Sequence, residues 1–219
     1  MDAFSQLLSK VAAPRGLIAS KTVSSIDSIH IQDSLSAVSV LSDLDERSRV
    51  IDIGSGAGLP GIPLAIAYPK LSFTLLDSVG KRIRFVEEVV ERLKLDNVKI
   101  TQIRAEEAAR MEGMREAFDV VLARAVSKFS VEIELSLPFC RCRGRAAFYK
   151  TIAQKAEVMT ALPNVAELGG ELLGFEPYEI PNMKLTRCLV VIDKVRATPE
   201  RYPRRVGVPV RRPLNIDAE

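Results

Sequence analysis

The spacing of apolar positions changes character twice along this chain. Phe4 to Ala12 reads as a short amphipathic helix stopped by Pro14. Farther on, Ile31, Leu35, Val38, Leu41 and Leu44 recur at three- and four-residue steps, one face of a helix, while Ser34, Ser36, Ser39 and Ser42 fall largely on other faces. From Arg49 onward short apolar runs alternate with helical patterns. The runs predict strands near 49–53, 72–76, 98–101, 119–123 and 145–150. The intervening patterns predict helices near 60–67, 80–94, 105–111, 128–140 and 152–168. Such alternation implies a parallel sheet with helices on both faces. Gly169-Gly170 breaks it, and two strands near 171–177 and 187–195 follow with no helix between them, the mark of an antiparallel pair. The expectation is an α/β fold: a doubly wound, seven-stranded, mostly parallel Rossmann-like sheet with an N-terminal helical appendage. Three segments result, with boundaries at 1–48, 49–198 and 199–219.

The 219 residues, 47% apolar and 27% charged, suit a domain that buries its own core without staples. Three cysteines argue against a disulfide framework and for a reducing compartment. Cys140 and Cys142 have no nearby histidine or second pair, so no zinc site is expected. The N-terminus lacks the order of a signal peptide. The most apolar window, residues 59–68, is too short to span a bilayer. A cytoplasmic, monomeric protein without membrane association is expected. Charge is unevenly placed. Between Lys194 and Pro213 stand seven bases and one acid, Glu200, a local balance of +6 in a chain whose total is +3. A basic tail on a mildly acidic body points to a polyanionic partner or, alternatively, to a solvated tail.

Candidate chemistry centres on Val50-Ile51-Asp52-Ile53-Gly54-Ser55-Gly56-Ala57-Gly58-Leu59-Pro60-Gly61. A strand running into a glycine-rich turn and a helix is the layout of a nucleoside-cofactor site. Gly54, Gly56 and Gly58 let the backbone approach a ligand closely. The spacing Gly56-x-Gly58-x-x-Gly61 also matches a dinucleotide fingerprint. Asp52 favours S-adenosylmethionine: a buried carboxylate needs a polar or cationic partner, which an amino-acid ammonium supplies and a pyrophosphate does not. Pro60 and Pro63 reduce the donors that the helix end offers to phosphate. A dinucleotide domain would also continue with a sixth βα unit, whereas five units and a terminal strand pair make the strand count of a methyltransferase sheet. Asp77, ending the second strand, is placed to accept both ribose hydroxyls; it or Ser78 also suits the cap of the helix at Gly80. Ala105 and Glu106 follow the third strand, over the adenine in this architecture; Glu106 and Glu107 equally suit a helix's first turn. Arg124, at the end of the fourth strand, faces the reacting centre and suits a cofactor carboxylate, a substrate, or a structural ion pair. His30 is read mainly as a structural residue near the start of the helix at Ile31.

Read in order, these residues resemble one family. Asp52-Ile53-Gly54-Ser55-Gly56-Ala57-Gly58-Leu59-Pro60-Gly61-Ile62-Pro63, Leu76-Asp77-Ser78-x-x-Lys81-Arg82, Arg104-Ala105-Glu106 and Ala123-Arg124-Ala125 occur together. His30-x-x-Asp33-Ser34-Leu35 precedes them and Tyr202-Pro203-Arg204-Arg205-x-Gly207-x-Pro209 follows. The set resembles the small-subunit ribosomal RNA guanine-N7 methyltransferases, also called the glucose-inhibited division protein B family, over roughly residues 28–214. The resemblance implies S-adenosylmethionine as cofactor, a guanine of 16S-type ribosomal RNA as substrate, and cofactor contacts at Gly54, Leu59, Ala105, Glu106 and Arg124. The chain departs from the family pattern before His30. Gly16-Leu17-Ile18-Ala19-Ser20 stands where family members carry a Trp-Asn pair and an Asn-Leu-Thr stretch, and tryptophan is absent.

Guanine N7 methylation needs no general base, and no acid–base dyad is evident. Lys81, Arg82, Lys150, Arg204 and Arg205, with Arg141, Arg143 and Arg145, form the candidate RNA-facing set. Pro203, Pro209 and Pro213 are expected to hold the tail extended, so that removing residues 199–219 weakens RNA binding and spares the cofactor. Three alternatives stay open: a methyltransferase for another substrate class, an NAD-dependent oxidoreductase, and a noncatalytic RNA-binding assembly factor on the same fold.

Overall fold

The computed structural model describes residues 1–18, 26–124, 127–180 and 186–214, with the backbone alone for 26–28. Seven strands form one sheet: β1 Arg49–Ile53, β2 Ser72–Asp77, β3 Val98–Gln102, β4 Phe118–Arg124, β5 Cys140–Thr151, β6 Gly170–Tyr178 and β7 Arg187–Lys194. Their order is β3-β2-β1-β4-β5-β7-β6. The first five run parallel, and β7 pairs antiparallel with both β5 and β6.

Side chains alternate across the pleat, and helices cover both sides, so the central strands carry apolar residues on both faces, with Asp52, Thr74 and Asp77 as buried polar exceptions on β1 and β2. Val50, Phe73, Leu75, Val120, Leu122 and Tyr149 pack on one face under α1 Asp2–Leu7, α4 Gly61–Ala67 and α5 Gly80–Leu93. Ile51, Ile53, Val121, Ala123 and Phe148 pack on the other, against α6 Ala105–Ala108, α7 Phe129–Ser136, α8 Lys155–Thr160 and α9 Leu162–Glu167. The N-terminal helix expected over Phe4 to Ala12 is α1 continued by a wide turn, Leu8–Ala12, with Phe4, Leu8 and Ala12 fully buried. The described apolar residues of this appendage, from Phe4 to Ala12 and from Ile31 to Leu41, are therefore built into one face of the body.

Four expectations are corrected. The helical pattern from Ile31 to Leu44 is interrupted: α2 Gln32–Leu35 and α3 Val38–Leu41 are separate, with Ala37 at ψ 6 between them. Val38 is exposed, whereas Asp33 and Ser34, on the supposed polar side, are buried. Hydrogen bonding to distant residues, described below, overrides the apolar period there. The helix expected over 152–168 is a 3₁₀ turn followed by α8 and α9, with Pro163 in the first turn of α9. β5 starts at Cys140, several residues before the apolar run that predicted it. Finally, residues 199–214 do not run out as an extended tail. They turn back across the body and end in α10 Val208–Arg211, which packs on α7.

Candidate active site

The sheet order reverses at β1, whose two neighbours β2 and β4 are reached by connections running in opposite directions. A crevice opens there beyond the carboxyl ends of the strands. Gly54, Ser55 and Gly56 form its floor. The Gly54 and Ser55 amides donate to the Leu76 carbonyl at 2.8 and 3.0 Å, fixing the turn to the end of β2. Gly56 adopts φ 57 and turns its amide to Asp77 Oδ2, 3.0 Å away. Gly61 serves a different purpose. A Cβ there would lie 2.9 Å from Asp52 Oδ2, so only glycine lets α4 approach β1 and donate its amide to that carboxylate at 2.9 Å.

Asp52 is 1% exposed. Its Oδ2 is taken by Gly61, and Oδ1 is buried with no hydrogen-bond partner among the described residues. Burial pushes the carboxyl up to about 7, against the opposing pull of the Gly61 amide and the Arg124 charge. Ser55 Oγ is likewise buried and unmatched among the described residues. Unsatisfied buried acceptors are rare in folded proteins and call for a ligand or water.

Asp77 accepts from the Val79 amide at 2.8 Å through Oδ1 and from Arg82 Nη1 at 3.2 Å through Oδ2. It thus shapes the turn into α5, though the N-cap position itself is Val79 and makes no side-chain capping bond. Ala105 and Glu106 open α6 and are both buried. Glu106 Oε1 accepts from the Gly207 amide at 2.9 Å, a contact that joins the third βα loop to the C-terminal segment.

Arg124 ends β4 and is held from the N-terminal appendage. It donates to the His30 carbonyl and Ser34 Oγ, both at 3.1 Å, and pairs with Asp33 at 3.3 Å. Its Nη2 lies 2.7 Å from His30 Nδ1. A guanidinium only donates, so Nδ1 accepts and the neutral ring carries its proton on Nε2. Burial, reinforced by the Arg124 charge, lowers the imidazole to about 4. Asp33 is also clamped by Arg187 at 3.0 and 2.8 Å and by Tyr178 OH at 2.6 Å, while Tyr149 OH donates to the Ser34 carbonyl. Asp33 stands in the motif that carries the resemblance, but its partners Tyr178 and Arg187, and Tyr149 beside it, were not singled out by the sequence pattern. Each tyrosine and the arginine lies 115 to 154 residues along the chain from the Asp33 or Ser34 atom it bonds, beyond any local signal.

These groups enclose two adjoining cavities that meet at Gly54 and Arg82. One, about 310 Å³, is lined by Ser55, Gly56, Leu59, His30 and Arg124, with Leu17 and Ile18 from the N-terminal segment. The other, about 250 Å³, is lined by Asp77, Ser78, Ala105, Glu106, Leu135 and Val210. Volumes of this order suit a small ligand. All seven residues read from sequence as cofactor-binding, Gly54, Gly56, Leu59, Asp77, Ala105, Glu106 and Arg124, line one or other cavity.

The candidate RNA-facing set divides. Lys81, Arg82 and Arg205 are exposed. Lys150 is only 3% exposed and is paired with Glu132 at 2.5 Å, so it offers no charge to a phosphate in this conformation. Arg204 forms a two-pronged pair with the buried Glu134, at 2.8 and 2.6 Å. Arg141 and Arg145 sit near the start of β5, the sheet edge opposite the crevice, paired with Asp119 and Asp193.

A switch-point crevice with a glycine floor, an acid ending β2, and a sheet closed by an antiparallel β6–β7 pair define a Rossmann-like methyltransferase. The family model described as rRNA small subunit methyltransferase G matches residues 1–182. The chain belongs to that family. A ribosomal RNA small subunit methyltransferase G of Roseiflexus castenholzii is 48% identical over 185 residues, 84% of this chain and 78% of the relative. One of Oenococcus oeni is 41% identical, covering 84% and 76%. Among solved structures, TrmN from Thermus thermophilus superposes with a TM-score of 0.58 at 20% identity, covering 85% of this chain and 52% of that one. TYW2 from M. jannaschii in complex with AdoMet gives 0.56 at 15% identity, covering 76% of each. These structural likenesses bear on the fold alone.

Proposed function

We propose that this protein transfers the methyl group of S-adenosylmethionine to N7 of a guanine in small-subunit ribosomal RNA. The observation that carries the cofactor reading is Asp52: a buried carboxylate beneath the glycine turn with one oxygen unmatched among the described residues. An amino-acid ammonium, directly or through a water, satisfies that oxygen and favours the ionised form. A pyrophosphate in the same place repels it, which disfavours a redox dinucleotide. The relatives' names carry the substrate reading.

The residues present fit this cofactor. Asp52 would hold the amine, Asp77 would accept the ribose hydroxyls, Ala105 and Glu106 would border the adenine, and Arg124 with His30 would face the amino-acid end. Arg82, which now bonds Asp77, is exposed and free to swing outward when a diol competes for the carboxylate. When bound, S-adenosylmethionine supplies an electrophilic methyl on a positively charged sulfur. Guanine N7 presents an in-plane lone pair at neutral pH, so it would take that methyl as the sulfonium leaves as a neutral thioether, and no residue of this chain would need to move a proton. The protein's share is alignment and exclusion of water. The charge of Arg124 suits the guanine O6 edge beside N7. Lys81, Arg82 and Arg205 supply phosphate contacts around the mouth.

Calorimetry with S-adenosylhomocysteine and with NAD tests the cofactor reading. The demethylated product should bind and NAD should not. The reverse result overturns it.

A further inference from the structure

The segment 199–214 was expected to be separable from the cofactor site, yet it is strapped onto that site's outer rim. Arg115 gathers the carbonyls of Pro199 and Tyr202, and that of Thr198 just before them, at 2.9 to 3.3 Å. Arg110 reaches the Pro203 carbonyl at 2.6 Å. Arg204 grips Glu134, whose side chain is fully buried, and Asn164 Nδ2 donates to the Leu214 carbonyl at 3.0 Å. These anchors therefore fix the strap on both sides of the stretch that reaches the crevice.

At the crevice it makes two contacts with consequences for a ligand. The Gly207 amide, presented at φ 76, takes one oxygen of Glu106 and so fixes the rotamer of an acid that borders the cavity. One turn later Val210, 59% exposed, lines the same cavity as Asp77 and Ala105. What distinguishes Val210 is its place: a heavily anchored segment carries it to the lining of a cavity that also holds Asp77, Ala105 and Glu106.

We propose that the C-terminal strap forms one wall of the cofactor site, with Gly207 fixing Glu106 and Val210 covering the adenosine end. This rests on the S-adenosylmethionine reading above. The ligand class recognised by the wall is the adenosine moiety, not the amino-acid end, which lies in the other cavity.

The test uses two full-length variants and two probes. 5′-Methylthioadenosine carries the adenosine end without the amino acid; S-adenosylhomocysteine carries both. In Val210→Cys, a near-isosteric change, maleimide labelling of the introduced thiol should slow at least fivefold when either probe saturates the protein. Cys142, exposed near the start of β5, is the internal reference and should label at an unchanged rate. In Val210→Asp, affinity for both probes should fall by the same factor, about tenfold, with the melting temperature of the wild type retained. Protection of residue 210 by both probes, with equal losses in the Asp variant, supports the wall. An unchanged labelling rate at residue 210 in saturated protein, or wild-type affinity in the Asp variant, overturns it while leaving the cofactor reading intact. If the wild type binds neither probe, both readings fall.

Discussion

Replacing Asp52 with asparagine keeps an acceptor for the Gly61 amide but turns the unmatched carboxylate oxygen into an uncharged amide group. A hydrogen bond to a charged partner contributes about 1.5–3 kcal/mol, so affinity for S-adenosylhomocysteine should fall between about tenfold and a hundredfold. Proton linkage sharpens the test. Burial has pushed this carboxyl up to about 7, so well below that pH the site is protonated and an ammonium must displace the proton to bind. Wild-type affinity should then drop by about tenfold per pH unit below 7 and level off near pH 8. The amide of the Asp52→Asn variant cannot titrate. Calorimetry of both proteins at pH 6, 7 and 8 gives the ratio of their affinities, in which titration of the ligand's own amine cancels. That ratio should widen about tenfold from pH 6 to pH 8. A ratio that ignores pH, or variant affinity equal to wild type at pH 8, would refute the assignment of Asp52 to the amine.

The same variant has a stability signature. His30 is lowered to about 4, so its contribution is complete above its unfolded value near 6.5 and is lost as pH falls toward 4. Asp52 is raised, so its contribution is complete below its unfolded value near 4 and is lost as pH rises toward 7. The two slopes oppose each other over that window. Urea unfolding of Asp52→Asn should show stability rising from pH 4 to 6.5 by up to about 1 kcal/mol per unit more steeply than wild type, and parallel curves would contradict the raised Asp52 carboxyl. Arg204→Ala leaves Glu134 buried without its cation and should cost about 3–5 kcal/mol, read as a large drop in melting temperature; a drop of a degree or less would show the strap to be loosely held. Lys150→Met should lower stability without altering the salt dependence of RNA binding, whereas Arg82→Ala should flatten that dependence by just under one unit of slope. Equal salt slopes in wild type and the Arg82 variant would remove Arg82 from the phosphate contacts.

Legibility varied with the range of the interactions involved. The strands were readable because period and turn residues are local: β1 occupies the very residues expected, and β2, β3 and β7 differ by a residue or so at one end. The glycine floor and Asp77 were readable for the same reason, since chain order alone carries them to the switch point. Arg124 was placed correctly at the end of β4, but its partners were invisible because Asp33 and His30 come from an appendage some 90 residues upstream. That network also explains the broken helix: Asp33 and Ser34 are buried by bonds to β4, β5 and β7, not by apolar spacing. Basic residues were the least legible. Composition gives a charge and not its partner, so Lys150 and Arg204 read as solvent-facing although each is paired with an acid at least 99% buried. The strap is the same lesson at larger scale, because its anchors Arg110, Arg115 and Glu134 lie in helices and loops that precede it by 70 residues or more.

The most direct measurement is methyl transfer itself. Purified protein and methyl-labelled S-adenosylmethionine are incubated with small-subunit ribosomal RNA, free and in its subunit, from cells lacking this protein. Nuclease digests are then resolved by mass spectrometry. The account predicts one label per RNA, recovered as 7-methylguanosine, with transfer lost in step with cofactor affinity in Asp52→Asn. Label recovered on another base, on protein, or not at all from either form of the RNA would contradict it.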